Sequence, residues 1–202
     1  MTLITKRLVW WLIFLAAASP SLVLFSLYLF NPRSLGVDPI EVILKEMGEW
    51  ALRFLLLSLA CSPIRRLGWK SIVRFRRMLG LFAFYYASLH LSTYLLGWIE
   101  LDWQVFSEDI IKRPFIYLGM ISWSLLAILA LTSPKVMVRL LKKRWSMIHK
   151  LVYLIIVLVW VHLWLQSRAS AGEAVFYGAL ALLFLGERIY RKASAYRAKA
   201  AR

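Results

Sequence analysis

Histidine is scarce in this 202-residue chain, occurring only at His90, His149 and His162. Imidazole titrates near neutrality, carries protons and ligates metals through either ring nitrogen. All three histidines lie in or beside long apolar runs, His90 in RRMLGLFAFYYASLHLSTY (76–94) and the other two in KRWSMIHKLVYLIIVLVWVHLWL (143–165). An imidazole in such a setting has four chemical readings: a hydrogen bond to a neighbouring helix, a proton relay, a zinc ligand, or an axial ligand of haem. For any one histidine taken alone, packing against a neighbouring helix is the simplest. A relay also favours acidic residues inside the membrane, and here the acids sit at segment ends or in loops.

The elements that must position these residues follow from composition. Hydrophobic residues make up 61% of the chain and aromatics 15%, too apolar for an ordinary soluble domain. Mean hydropathy is +0.68. The formal charge of +16 comes from short basic runs between apolar stretches, the distribution membrane topology requires, which argues against nucleic-acid binding. The single cysteine, Cys61, excludes an internal disulfide, a CxxC metal pair and covalent haem attachment through CxxCH. Any haem is therefore held noncovalently.

A span needs about 20 helical residues. Six segments qualify, near 8–30, 46–63, 78–99, 114–132, 147–166 and 174–190, and predict an all-α, six-helix integral membrane bundle forming one domain over 1–202. The first segment is too long for a signal peptide and reads as a retained helix, kinked or interrupted at Pro20. Pro114 opens the fourth and Pro134 closes it. Outside the spans and at the end of the sixth, nineteen Lys and Arg lie on one face and five on the other, which puts both termini in the cytoplasm. The outer stretch ELDWQVFSED carries four acids, a weaker indication of the same orientation.

Depth can now be assigned. At about 1.5 Å per residue, His162 lies about 19–20 Å outward from His149. His90 lies twelve residues beyond Met78 and His162 fifteen beyond Met147, so the two share an outer-half depth on different helices. Two neutral imidazoles at one depth suit bis-axial ligation of a b haem, with Ser88, Ser92 and Thr93 as small polar neighbours that make room or hold the tautomer. Zinc fits less well, since a third ligand would lie a leaflet away. His149 and His162 point about 140° apart on an ideal helix. Span five is then locally distorted, or its imidazoles face different neighbours. Arg53 in span two follows Glu49 by one turn; it either pairs with that carboxylate or neutralises a haem propionate.

The three runs 76–94, RPFIYLGMISWSLLAILALTSP (113–134) and 143–165 resemble the haem-binding membrane subunit family of the bacterial periplasmic methionine sulfoxide reductase system. The likeness extends from about Asp38 to the sixth segment, and the family is grouped with ferric reductase and NADPH oxidase transmembrane domains. It implies that His90, His149 and His162 are haem ligands and iron-binding residues, with one b haem expected and a second possible. It also implies electron delivery to a periplasmic molybdopterin enzyme that reduces methionine sulfoxide in oxidised proteins, from a bacterial inner membrane. NADPH oxidases carry a second histidine about fourteen residues before the one matched by His90. Here that position is Arg76, followed by Arg77, and a guanidinium is a poor iron ligand. Any inner haem would then have His149 and an unidentified group.

No GxGxxG, P-loop or nucleotide-binding domain is present in the sequence. The electron donor is thus expected to be a cytoplasmic flavin reductase or a membrane quinol. The resemblance allows a bound flavin mononucleotide, with the basic inner loops that include Arg76 and Arg77 as candidate phosphate-binding cations; topology accounts for those loops equally well. The alternative function is a non-redox structural or ion-translocating bundle with packed histidines.

Overall fold

The computed structural model describes residues 3–167 and 171–200, and within them every regular element is helical. Helix α1 spans Leu3–Phe30, α2 Pro39–Arg66, α3 Arg76–Ser92, α4 Trp103–Lys112 and α5 Pro114–Leu131. The short α6 (Lys135–Leu141) and α7 (Lys143–Ile148) lead into α8 (Val152–Gln166), and α9 covers Ala171–Ala200. Among the described residues five stretches are long and apolar enough to cross a membrane: Ile4–Phe30, Pro39–Arg66, Lys70–Trp98, Pro114–Leu131 and Lys143–Gln166. They coincide with the first five expected segments. The sixth, 174–190, lies within α9, which is not among the five.

The chain divides into two compact units. One comprises the chain up to Ser58 with Arg74–Lys112, the other Leu59–Val73 with the chain from Arg113 onward.

In the first unit an aromatic cluster fills the interior. Phe54 stacks on Tyr86 at 5.3 Å and on Phe82 at 5.5 Å, and Phe14 meets Phe82 at 5.3 Å. Asp38 caps α2 by accepting the amide protons of Ile40 and Glu41, and Pro39 occupies the first turn, where no amide is needed. Helix α1 is not interrupted at Pro20, and the local bonds explain why. Proline has no amide to give Ala16, whose carbonyl instead accepts the Ser19 hydroxyl at 3.0 Å. The buried Tyr86 hydroxyl accepts from the Ser21 amide (3.2 Å) and donates to the Ala17 carbonyl (2.8 Å), bridging two groups that face each other across one helical turn.

The acidic stretch after span three is not a simple loop. Its ladder loosens into a π-helical turn at Thr93–Trp98, and left-handed Glu100 (φ 49°) and Leu101 (φ 60°) then turn the chain into α4. Asp102 caps α4, and buried Asp109 accepts the Tyr94 hydroxyl at 2.9 Å.

In the second unit α5 packs on α8 and α8 on α9, with Ile155 and Ile156 fully buried. Arg188 ties α9 down: its guanidinium donates to the Phe184 carbonyl (2.9 Å) and the Leu59 carbonyl (2.7 Å) and lies over the Tyr153 ring. Glu187 pairs with both Arg66 and Arg191. The distortion of span five is a 3₁₀ turn at His149–Leu151. Three residues turning about 120° instead of 100° bring His149 about 60° closer to the azimuth of His162.

Candidate functional site

His90 and His162 are built into their units by one local device. In an α-helix the side chain at position i+4 flanks the carbonyl of residue i, whose second lone pair stays open to a neighbour only if that side chain is small. In α2 the carbonyl is that of Leu44 and the flanking residue is Gly48. His90 donates its Nδ1–H to that carbonyl at 2.8 Å, and a Cβ on Gly48 would lie 3.0 Å from His90 Nδ1. In α5 the carbonyl is Phe115 and the flanking residue Gly119. His162 donates Nδ1–H to Phe115 at 2.6 Å, and a Cβ on Gly119 would lie 3.0 Å from His162 Cε1.

A carbonyl can only accept, so each Nδ1 carries the proton and each Nε2 the lone pair. This is the tautomer of a metal-ligating imidazole whose other nitrogen is held by backbone, an outer contact that fixes ring orientation and raises ligand basicity. The hydroxyls first considered for this purpose act differently. Ser88 and Thr93 donate to the carbonyls of Phe84 and Leu89 in their own segment, both at 2.9 Å, and the tautomer of His90 is set from α2.

The device occurs a third time without histidine. The Trp160 indole N–H donates to the Ala174 carbonyl at 2.9 Å, and a Cβ on Gly178 would come within 2.4 Å of Trp160 Nε1. Two residues apart on α8, Trp160 and His162 address different helices, α9 and α5. In sequence the three instances read LKEMG, FIYLG and AVFYG, an isolated glycine within an apolar helix four residues after the accepting carbonyl. That isolated glycine was the available signal, and the histidines alone did not reveal it.

His149 is held otherwise. Its ring stacks on Trp145 at 4.2 Å, and its Nε2 lies 3.2 Å from the Thr132 hydroxyl. The Thr132 hydroxyl also reaches the carbonyls of Ile128 at 2.7 Å and Leu129 at 3.3 Å. Trp145 is fixed by its own bond to the Thr132 carbonyl at 3.0 Å. Both imidazoles of span five thus address α5, His149 near its C-terminus and His162 near its N-terminus.

Arg53 lies on carboxylates: it pairs with Glu49, approaches Glu46 at 3.6 Å and covers the Trp50 ring at 4.7 Å. Glu49 is buried and also has Lys45 at 3.6 Å. Arg76 and Arg77 begin α3 as exposed residues. Among the described residues no group of three or more His, Cys, Asp or Glu could hold a metal ion.

Membrane-length helices carrying backbone-clamped imidazoles define a multi-pass membrane protein of the ferric reductase type, and residues 47–160 match the family described as "Ferric reductase like transmembrane component". Among curated proteins, the chain is 43% identical over 170 residues to a "Protein-methionine-sulfoxide reductase heme-binding subunit MsrQ" of Xanthomonas euvesicatoria pv. vesicatoria, covering 84% of this chain and 78% of that one. It is 41% identical over 181 residues to the protein of the same name from Brucella ovis, covering 90% and 81%. The chain belongs to the MsrQ family.

Proposed function

We propose that this protein is a b-haem electron-transfer subunit in which His90 and His162, matched in depth along the sequence, are the axial ligands of the iron. The observation carrying this reading is the repeated clamp, which gives both imidazoles an Nδ1–H bonded to backbone and an Nε2 lone pair. Packed histidines of a non-redox bundle need no common tautomer. When bound, the haem supplies reversible one-electron storage. The chain's own contribution is to fix each ring plane and raise ligand basicity through the carbonyl bonds.

The proposal extends to the whole system. Residues 1–202 act as one transmembrane domain with α9 as the sixth span, both termini facing the cytoplasm of a bacterial inner membrane, as the basic residues favour. Electrons pass from a cytoplasmic flavin reductase or a quinol, by way of the His149 end, to an MsrP-like periplasmic molybdopterin subunit that repairs oxidised methionine in proteins. Arg53 has a carboxylate role in α2; a contribution to a haem propionate would add to it.

The test is the visible and electron paramagnetic resonance spectrum of the purified protein. A low-spin bis-imidazole signature is expected in the parent, lost in His90→Ala and in His162→Ala. Both single variants retaining the full low-spin signature would refute the ligand assignment.

A further inference from the structure

The first unit contains a cavity of about 710 Å³ between the start of α1 and the start of α3, lined by none of the clamp residues. Its walls change in polarity from one end to the other. At one end stand Arg74 and Arg77, both exposed, and among the described residues neither has a carboxylate within ion-pair distance. Beyond them the walls are apolar: Trp10 and Phe14, stacked at 5.5 Å along α1, then Ala18 one turn further. Tyr85 lines the opposite side, two turns beyond Arg77 on α3, with its hydroxyl tied to Ser21 at 3.2 Å so that its ring forms the wall.

We propose that this cavity is a binding site for an acidic phospholipid, with the headgroup phosphate on Arg74 and Arg77 and an acyl chain along Trp10, Phe14 and Tyr85. The order of polarity is that of an anionic amphiphile. Guanidinium groups suit phosphate oxygens through their paired N–H donors. The remaining walls are apolar and suit a hydrocarbon chain, and they offer little to a sugar. The two cations lie at the helix starts, where a headgroup sits when the helices cross a bilayer, and basic pockets between membrane helices are a known type of acidic-lipid site.

The experiment is native mass spectrometry of the full-length protein in detergent, titrated with dioleoyl phosphatidylglycerol, dioleoyl phosphatidylcholine, glycerol 3-phosphate or flavin mononucleotide. Phosphatidylglycerol is expected to bind selectively. Arg74→Gln/Arg77→Gln should weaken it about thirtyfold, toward the phosphatidylcholine level. Ala18→Phe, which fills the tail end, should weaken it while leaving both cations in place. Arg65→Gln/Lys70→Gln removes two exposed charges that do not line the cavity and should leave binding unchanged. Wild-type binding of phosphatidylglycerol by the Arg74/Arg77 variant overturns the assignment, and so does equal binding of phosphatidylcholine by the parent. Binding of glycerol 3-phosphate as tight as that of the lipid also overturns it, because the tail would then contribute nothing. Flavin mononucleotide held there in preference to phospholipid does the same. Should Ala18→Phe fail to fold, the exposed arginine pair decides the question alone.

Discussion

Replacing Gly119 by alanine tests the clamp most directly. The new Cβ would stand 3.0 Å from His162 Cε1 and 3.1 Å from Nδ1, whereas ordinary contact begins at 3.4 Å, so the ring must move by about 0.4 Å. Moving away from α5 lengthens the 2.6 Å bond to the Phe115 carbonyl toward about 3.0 Å, still within hydrogen-bond range. The fold therefore survives. Crowding costs about 1–3 kcal/mol, while alanine in place of glycine inside a helix returns about 1 kcal/mol, for a net loss of about 0–2 kcal/mol. The ligand is affected more than the fold. Disturbing the outer contact of a metal-bound histidine typically weakens metal affinity by about ten- to hundredfold. The assay is haem titration of the apoprotein followed by visible spectroscopy and redox potentiometry, with helix content measured in parallel. Gly48→Ala should behave alike, since its Cβ would lie 3.0 Å from His90 Nδ1. Gly80→Ala, with nothing within 4 Å, is the control and should leave haem affinity unchanged. If Gly119→Ala and Gly48→Ala bind haem with wild-type affinity, low-spin spectrum and midpoint potential, the glycines do not seat the ligands and the argument from the clamp fails.

Gly178→Ala should be the most disruptive of the helical glycine changes: its Cβ would meet Trp160 Nε1 at 2.4 Å, so the indole leaves the Ala174 carbonyl and thermal stability in detergent falls by about 2–4 kcal/mol. An unchanged melting temperature would show that α9 does not depend on that contact. Tyr86→Phe strands the Ser21 amide and the Ala17 carbonyl beside Pro20 and should cost about 1–3 kcal/mol, read as faster hydrogen exchange in α1; unaltered exchange would mean the turn closes without the phenol. Arg53→Leu removes the arginine partner of buried Glu49 and should destabilise the protein by about 1–3 kcal/mol. A lowered haem midpoint potential in the same variant would add the propionate role, and loss of neither property would remove both. His149→Ala should block reduction of the haem by a cytoplasmic flavin reductase while leaving dithionite reduction intact, and wild-type rates with the flavin donor would take His149 off the route.

The acidic stretch from Glu100 to Asp109 marks the boundary of what charge and hydropathy can say. Its polarity places it outside the spans, yet the α4 helix depends on Asp102 capping two amides and on Asp109 reaching Tyr94, contacts that no hydropathy window registers. The same holds for the short α6 and α7 helices, whose basic residues give topology but not conformation. The first helix is a milder case: Pro20 signals a missing amide, but only the hydroxyls of Ser19 and Tyr86 determine that the helix continues through it.

By itself the sequence determined the all-helical membrane character, the first five apolar segments, the family resemblance and the three histidines as the residues most able to do chemistry. These are properties of local composition and spacing, because a membrane span must satisfy its backbone within one continuous run of residues. The tertiary structure decided how the imidazoles are held. Which nitrogen of His90 or His162 bears the proton depends on a carbonyl 46 or 47 residues away in the chain, exposed only because a glycine follows it by one turn. It also decided that His149 meets the Thr132 hydroxyl of the α5 end and that Arg188 anchors α9 on the Leu59 carbonyl instead of trailing with the tail. Each of those outcomes depends on the approach and rotation of one helix against another, which the hydrophobic pattern of either helix leaves open.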